Sequence, residues 1–282
     1  MVERTKEEDF NKNLNLIAKS SLIGFVGVIF SKIFSYIYKI IIARNFGPEG
    51  YGLFTIAIMI AGWFITLSGM GLNQGLVRFI PRLKAQNDDE RVKEFVRGAF
   101  SKILVSSTIG FLILFFSSEF ISIKVFHEPN LIIFLKFFSI SIPLIVMIEI
   151  LLSVVQANEK VFIYNFIYKF FIGLSKLTLL LLFIIFGLNI SSIYLSHLIS
   201  ILLTFIITVI VFARIYPNIL KKQNKKIDKK EKINLNKLVS YSWPLVLYAV
   251  VWNLFYWTDT LLIGYFHGTV EAGIYNAAEP IV

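Results

Sequence analysis

The chain of 282 residues contains no cysteine, and its three histidines, His127, His197 and His267, lie far apart in the sequence. The absence of cysteine excludes disulfide bonds, a thiolate nucleophile and cysteine-based metal sites. The sequence also lacks a phosphate-binding loop, a metal-ligand spacing and a nucleophile–base pattern. We therefore expect a protein that is not an enzyme and that needs no cofactor.

Charged side chains are also scarce, at 16% of the residues, whereas hydrophobic residues make up 56% and the mean hydropathy is +0.73. A typical soluble domain has roughly 25% charged and 45–50% apolar residues. A single soluble core could not bury this much apolar surface. The composition therefore predicts an all-α fold, a polytopic membrane helical bundle.

Apolar runs of about 20 residues, the length that crosses a bilayer, recur along the chain. We predict eight spans, at about 20–43, 50–73, 98–118, 131–155, 162–187, 190–213, 238–263 and from 273 onward. Two longer loops, 78–97 and 214–237, are strongly basic. The segment 1–19 places apolar residues on one helical face, so we expect an amphipathic helix on the inner membrane face.

Lysine and arginine are unevenly distributed between the alternate loops. With the N-terminus inside, the outer loops contain only Arg44 and Lys124, and basic residues crowd the tail and the two long loops. Because cytoplasmic loops carry the excess of basic residues, we predict a multi-pass protein of the cell membrane with a cytoplasmic N-terminus. This distribution accounts for the net charge of +10 without nucleic acid. The loop 214–237 also has Tyr216 as its one aromatic residue, which argues against nucleic-acid binding.

An internal repeat joins "IIARNFGPEGYGLFTIAIMI", which starts at residue 41, to "LIGYFHGTVEAGIYNAAEPI", which starts at residue 262. The alignment pairs Gly47 with Gly268 and Gly52 with Gly273. We interpret these glycines as sites of tight turning and close helix contact. An even number of spans separates the copies, so the two halves have the same orientation and form a parallel repeat.

The repeat predicts the domain organisation. We expect an inner-face segment at 1–19, one six-helix lobe at 20–213, a basic cytoplasmic linker at 214–237, and the start of a second, truncated lobe at 238–282.

Three motifs carry a family resemblance: "ARNFGPEGYGLF", "GMGLNQGLVRFIPR" and "SWPLVLYAVVWNLFYWTDTLLIGYFHGTVEAGIYNAAEPI". They resemble the polysaccharide-export flippases of the O-antigen type, in the superfamily of multidrug and toxin extrusion transporters and lipid II flippases. The resemblance implies two helical lobes that move a polyprenyl-diphosphate-linked oligosaccharide across the membrane by alternating access, for surface polysaccharide biosynthesis. It implies as partners the lipid bilayer, a lipid-linked anionic glycan, and a glycan polymerase or export protein.

Two other functions stay open at this point. One is a multidrug or cation extruder of the same superfamily, which would favour acidic and aromatic side chains in its cavity. The other is a non-transporting membrane scaffold for glycan assembly, which would need no charged cavity. The lysines within the predicted spans argue against both.

Lysines inside spans are candidate site residues, because an ionisable group there costs about 2.5–3.5 kcal/mol on insertion scales. Lys32 and Lys176 lie near the middle of their spans, and Lys39 and Lys169 lie seven residues from them on the same helix faces. We predict that all four line a water-filled substrate cavity, where a compact ammonium group suits a diphosphate. Alternatively, Lys39 reaches the outer interface, and the central lysines cap carbonyl groups or pair with an acid.

Four further residues are candidates for coupling or gating. Glu149 is either a coupling-ion or proton site or the partner of a span lysine, and we favour the ion pair. Asp259 is a cavity acid, an interfacial gate or a solvated helix end. Arg78 and Arg82 follow the second span and either hold the headgroup boundary or form an inner gate.

Overall fold

The computed structural model describes residues 2–86, 88–217 and 235–278, and all regular structure in these ranges is helical. The α-helices are α1 (Val2–Gly69), α2 (Leu72–Ala85), α3 (Asp89–Phe120), α4 (Leu131–Ala157), α5 (Val161–Asn165), α6 (Ile172–Ile185), α7 (Ser191–Ile215), α8 (Leu235–Phe266) and α9 (Thr269–Ala278). Two π-helical turns, Ile121–Val125 and Phe166–Phe171, continue α3 and join α5 to α6. Most of the predicted linker 214–237 lies outside the described residues.

Six helical stretches in the described ranges are long and apolar enough to cross a membrane. The first, Gly24–Ala85, has 62 residues, about three times the length that one crossing needs. In a bilayer the helix satisfies its own backbone hydrogen bonds, which is why apolar segments of this length become helices. The chain is a multi-pass membrane protein, and the predicted all-α polytopic bundle is confirmed.

The long helix α1 changes direction at Gly47. Its backbone angles there are φ 68° and ψ −174°, a combination that is essentially restricted to glycine. Pro48 follows, in the first turn of the second arm. A proline is tolerated there because a backbone N–H in the first turn of a helix has no partner within the helix. The two arms, 2–46 and 48–69, carry the predicted first and second spans. The backbone of the segment 1–19 is helical from Val2 onward, and its location on the membrane face stays a prediction.

The predicted basic loop 78–97 is mostly helical, so the expectation of a long loop was wrong. α2 ends at Ala85 and α3 begins at Asp89. The side chain of Asp88 caps α3 by accepting a hydrogen bond from the backbone N–H of Arg91 at 3.1 Å. The many charged residues suggested a loop, yet they lie in the last turns of α2 and the first turns of α3.

The core is centred on α4, which packs against α1, α2, α3 and α7. Its side chains Phe134 and Phe138 are fully buried. The outward faces of the bundle are apolar as well, and Phe116, Ile185 and Phe255 are 76%, 82% and 80% exposed. Exposed apolar area of this extent is expected where lipid tails cover the protein.

The fifth span, Val161–Ile185, contains the π-helical turn Phe166–Phe171. Such turns are rare and often occur at functional sites. This turn carries Tyr168 and Lys169 and changes the face on which the residues after it lie. A regular helical period therefore does not predict which residues share a face along the whole of this span.

The second arm of α1 and helix α9 cross at Gly52 and Gly273. A methyl group on Gly52 would overlap the carbonyl oxygen of Thr269, and one on Gly273 would overlap that of Pro48. The repeat pairs Gly52 with Gly273 and Pro48 with Thr269. The contact of Gly52 with Thr269 therefore corresponds to the contact of Gly273 with Pro48. Reciprocal contacts of this kind are what a two-fold axis between two similar units produces.

Candidate functional site

A cavity of about 270 Å³ lies between the two arms of α1, the fifth span and α8. Lys39, Lys169 and Lys176 line it, together with hydroxyl groups such as those of Ser35 and Thr55. We call it the lysine cavity. The fold thus brings three of the four predicted lysines to one place, although they come from two different spans.

The charge of the lysine cavity is incompletely neutralised. Arg91 pairs with Asp88, and Lys93 pairs with Glu90, at the start of α3 and outside the cavity. Lys169 and Lys176 form neither an ion pair nor a side-chain hydrogen bond with any described residue. Two positive charges that no described residue pairs make the cavity suited to an anionic ligand.

The wall behind these lysines contains polar side chains that form hydrogen bonds between helices. The hydroxyl groups of Tyr38 and Ser196 are 3.1 Å apart, and those of Ser175 and Ser200 are 3.2 Å apart. These contacts join α1 and α6 to α7. They hold the two lysine-bearing helices at a fixed spacing around the cavity.

His197 lies in this wall and was missed by sequence reasoning, which treated the histidines as too distant from one another to act together. It is 3% exposed, its ring stacks on Phe138 with centroids 4.0 Å apart, and it interacts electrostatically with Lys176. Neither ring nitrogen has a hydrogen-bond partner among the described residues. No signal in the sequence places this residue behind Lys176, because the contact joins two spans.

Lys32 does not line the lysine cavity with the other three lysines, and its predicted role in substrate binding stays a prediction. It is exposed and is absent from the residues that line the cavity. Seven residues fall slightly short of two full helical turns, so positions seven residues apart on an ideal helix differ in direction by about 20°. Lys39 stands at the edge of the lining face, and this difference takes Lys32 beyond it.

A second cavity, of about 360 Å³, lies between α2, α4 and the fifth span. Its lining is rich in amide, hydroxyl and phenol groups and consists of Asn73, Gln74, Val77, Glu149, Ser153, Gln156, Tyr164 and Tyr168. We call it the amide cavity. Tyr168 lines both cavities, so they share a wall.

Glu149 lies in the amide cavity rather than in an ion pair, which corrects the pairing that we favoured. Its carboxylate accepts a hydrogen bond from the hydroxyl group of Tyr168 at 2.9 Å. None of the ion pairs in the described part of the chain includes Glu149. The partner was not predictable from the sequence, because a tyrosine on a neighbouring span satisfies the carboxylate.

The three remaining candidates line neither cavity. Asp259 is exposed and accepts a hydrogen bond from the hydroxyl group of Tyr275 at 2.7 Å. The guanidinium group of Arg78 lies 4.4 Å from the ring centroid of Tyr241 and so connects α2 to α8. Arg82 is exposed in the last turn of α2. Their gating roles stay predictions.

Comparison with known proteins gives two matches. A family model described as "Polysaccharide biosynthesis protein" matches residues 17–282. A Shigella flexneri protein named "Putative O-antigen transporter" is 29% identical over 127 residues, which are 44% of this chain and 30% of that protein. The chain thus matches about 30% of the length of this curated relative. No solved structure matches the chain significantly.

Proposed function

Because the chain belongs to the polysaccharide biosynthesis protein family, we propose that it is part of a transporter rather than an enzyme. Its cargo is a polyprenyl-diphosphate-linked oligosaccharide, which crosses the cell membrane by alternating access. The N-terminus is cytoplasmic in this proposal, and a glycan polymerase or export protein acts with the transporter. The observation that carries the proposal is the convergence of Lys39, Lys169 and Lys176 on one cavity.

The chemistry of the cargo fits this cavity. A diphosphate is a multiply charged anion, and an ammonium group meets it as a point charge without requiring one fixed geometry. Charges in a partly dry cavity act more strongly than in water. Several weak contacts of this kind also let the ligand leave, which a transporter requires.

The other two functions fit the lysine cavity less well. A cation extruder would have to bring a positive ligand close to Lys169 and Lys176, which repel it. A scaffold without transport activity gives no reason for lysines to gather inside a membrane protein, where each one is costly. An anionic cargo accounts both for the position of these lysines and for their positive charge.

The test compares matched lysine substitutions. Lys169→Gln and Lys176→Gln remove charge from the lysine cavity, and Lys32→Gln removes one from α1 outside it. We expect each cavity variant to raise the Kd for undecaprenyl diphosphate at least about tenfold, which corresponds to about 1.4 kcal/mol. The Lys32→Gln variant should bind like the wild type. The Kd is measured by native mass spectrometry of the chain in lipid nanodiscs.

Equal binding by the wild type and all three variants would refute the proposal. Equal losses in all three would also refute it, because the effect would then come from net charge rather than from the cavity.

A further inference from the structure

We propose that the amide cavity binds the sugar that is attached directly to the diphosphate of the cargo; this rests on the proposed function. The ligand class is a neutral or amide-bearing pyranose. The diphosphate would lie in the lysine cavity and the first sugar in the amide cavity. Nothing in the family match or in the named relative assigns a ligand to the amide cavity.

The side chains that face the amide cavity match the chemistry of a sugar. Sugars present many hydroxyl groups that both donate and accept hydrogen bonds, and primary amides do the same. The side chains of Gln74 on α2 and Gln156 on α4 line the cavity and form no hydrogen bond with any residue in the described ranges. Their hydrogen-bonding capacity is therefore available to a ligand.

One face of α4 supplies three polar groups to this cavity. Glu149, Ser153 and Gln156 are spaced by four and three residues, so they lie above one another on the same side of the helix. The Glu149 carboxylate uses one oxygen to accept the hydrogen bond of Tyr168 and has further acceptor capacity. A row of acceptors and donors along a helix suits the row of hydroxyl groups on a pyranose edge.

Two stacked tyrosines form another wall. The rings of Tyr164 and Tyr168 are 5.6 Å apart between centroids, with an angle of 21° between their planes. Aromatic rings combine a large apolar face with a polar tip. Such a face can cover the C–H side of a sugar ring while its hydroxyl groups reach Gln74 and Gln156.

The amide cavity lies next to the lysine cavity, which indicates that a single ligand occupies both cavities rather than a separate ligand in each. In the proposed cargo the first sugar is bonded to the diphosphate, so its subsite must adjoin the phosphate subsite. Tyr168 lines both cavities and provides this junction. The lysines attract the phosphate end and the Glu149 carboxylate disfavours it, so the two cavities together orient the ligand. The volume of about 360 Å³ also falls in the usual range of about 300–1,000 Å³ for small-molecule sites.

The experiment distinguishes the binding of the sugar from the binding of the diphosphate. The Kd is measured for undecaprenyl diphosphate alone and for the same lipid bearing one N-acetylglucosamine or one galactose. The double variant Gln74→Leu/Gln156→Leu removes the two free amides, Tyr164→Leu removes one ring, and Lys176→Gln serves as the phosphate-site control. All measurements use the full chain in nanodiscs.

We expect the wild type to bind at least one sugar-bearing lipid about tenfold more tightly than the bare lipid. The amide double variant and Tyr164→Leu should each reduce this preference to less than about threefold and leave the Kd for the bare lipid unchanged. That unchanged Kd also shows that each variant is folded. Lys176→Gln should weaken the binding of all lipids by the same factor and keep the preference.

Two results would overturn the inference. One is a wild type that binds bare and sugar-bearing lipids equally, and the other is a preference that survives both amide-cavity variants. If Lys176→Gln still weakens binding in either case, the proposed function stands and the sugar subsite alone fails. If Lys176→Gln has no effect on any lipid, the proposed function fails as well.

Discussion

At the scale of single residues, the hydrogen bond between Tyr168 and Glu149 is the contact on which both cavities depend. Glu149 is half-buried and lines the amide cavity, and the tyrosine hydroxyl group is the one hydrogen-bond donor to its carboxylate among the described residues. A hydrogen bond of this kind contributes about 0.5–1.5 kcal/mol to stability. The pair therefore fixes the position of the wall that the two cavities share.

This hydrogen bond makes a prediction about stability. Tyr168→Phe removes the donor of this hydrogen bond, so we expect a loss of about 0.5–1.5 kcal/mol in the free energy of unfolding. Tyr164→Phe is the matched control, because the hydroxyl group of Tyr164 makes no hydrogen bond with a described residue. We expect it to change stability by less than about 0.5 kcal/mol. Denaturant unfolding in detergent measures both, and equal effects would contradict the assignment.

At the scale of helices, hydropathy predicted which segments span the membrane but not which faces they present. The positions of the spans follow from apolar runs, because an unsatisfied backbone is too costly in lipid. To predict which face a residue lies on, one must assume a regular helical period, and the π-helical turn Phe166–Phe171 changes that period. Lys32 and Lys39 do not line the same cavity, because residues seven apart on an ideal helix differ in direction by about 20°. The partner of Glu149 could not be predicted, since it depends on how two spans pack.

The crossing of α1 and α9 gives a prediction at this scale. Gly52→Ala places a methyl group on the backbone of Thr269, and we expect it to destabilise the fold by about 1–3 kcal/mol through overpacking. Gly62→Ala is the control within the same arm of α1, where a methyl group meets no atom within 4 Å. It should be neutral or stabilising by up to about 1 kcal/mol. Thermal unfolding in detergent compares the two variants, and equal midpoints would argue against a close crossing.

At the scale of the whole molecule, the orientation in the membrane decides from which side the proposed cargo would enter. The positive residues of the tail and of the segment around α2 predict that these face the cytoplasm. The amide cavity, which α2 helps to form, would then be nearer the cytoplasmic side than Gly47 is. In the proposed function, a cargo made in the cytoplasm would reach the proposed sugar subsite first.

The absence of cysteine makes this orientation directly testable. Single cysteines replace Arg82 at the end of α2 and Asn130 at the start of α4, both of which are exposed. In intact cells, a membrane-impermeant maleimide should label Asn130→Cys and should label Arg82→Cys only after the membrane is permeabilised. The reverse pattern would invert the predicted topology. The unsubstituted chain is the background control.

The reciprocal contact at Gly52 and Gly273 also bears on how such a chain can diversify. Two identical subunits around an axis must accept every substitution twice, whereas a single chain with two similar halves can alter one half alone. When the alignment of the repeat is extended by two residues towards the N-terminus, Lys39 of α1 pairs with Thr260 of α8, so the charge differs at this position while both glycines at the crossing are kept. Substitutions near the lysine cavity can therefore accumulate in one copy of the repeat alone and leave the close crossing of α1 and α9 intact.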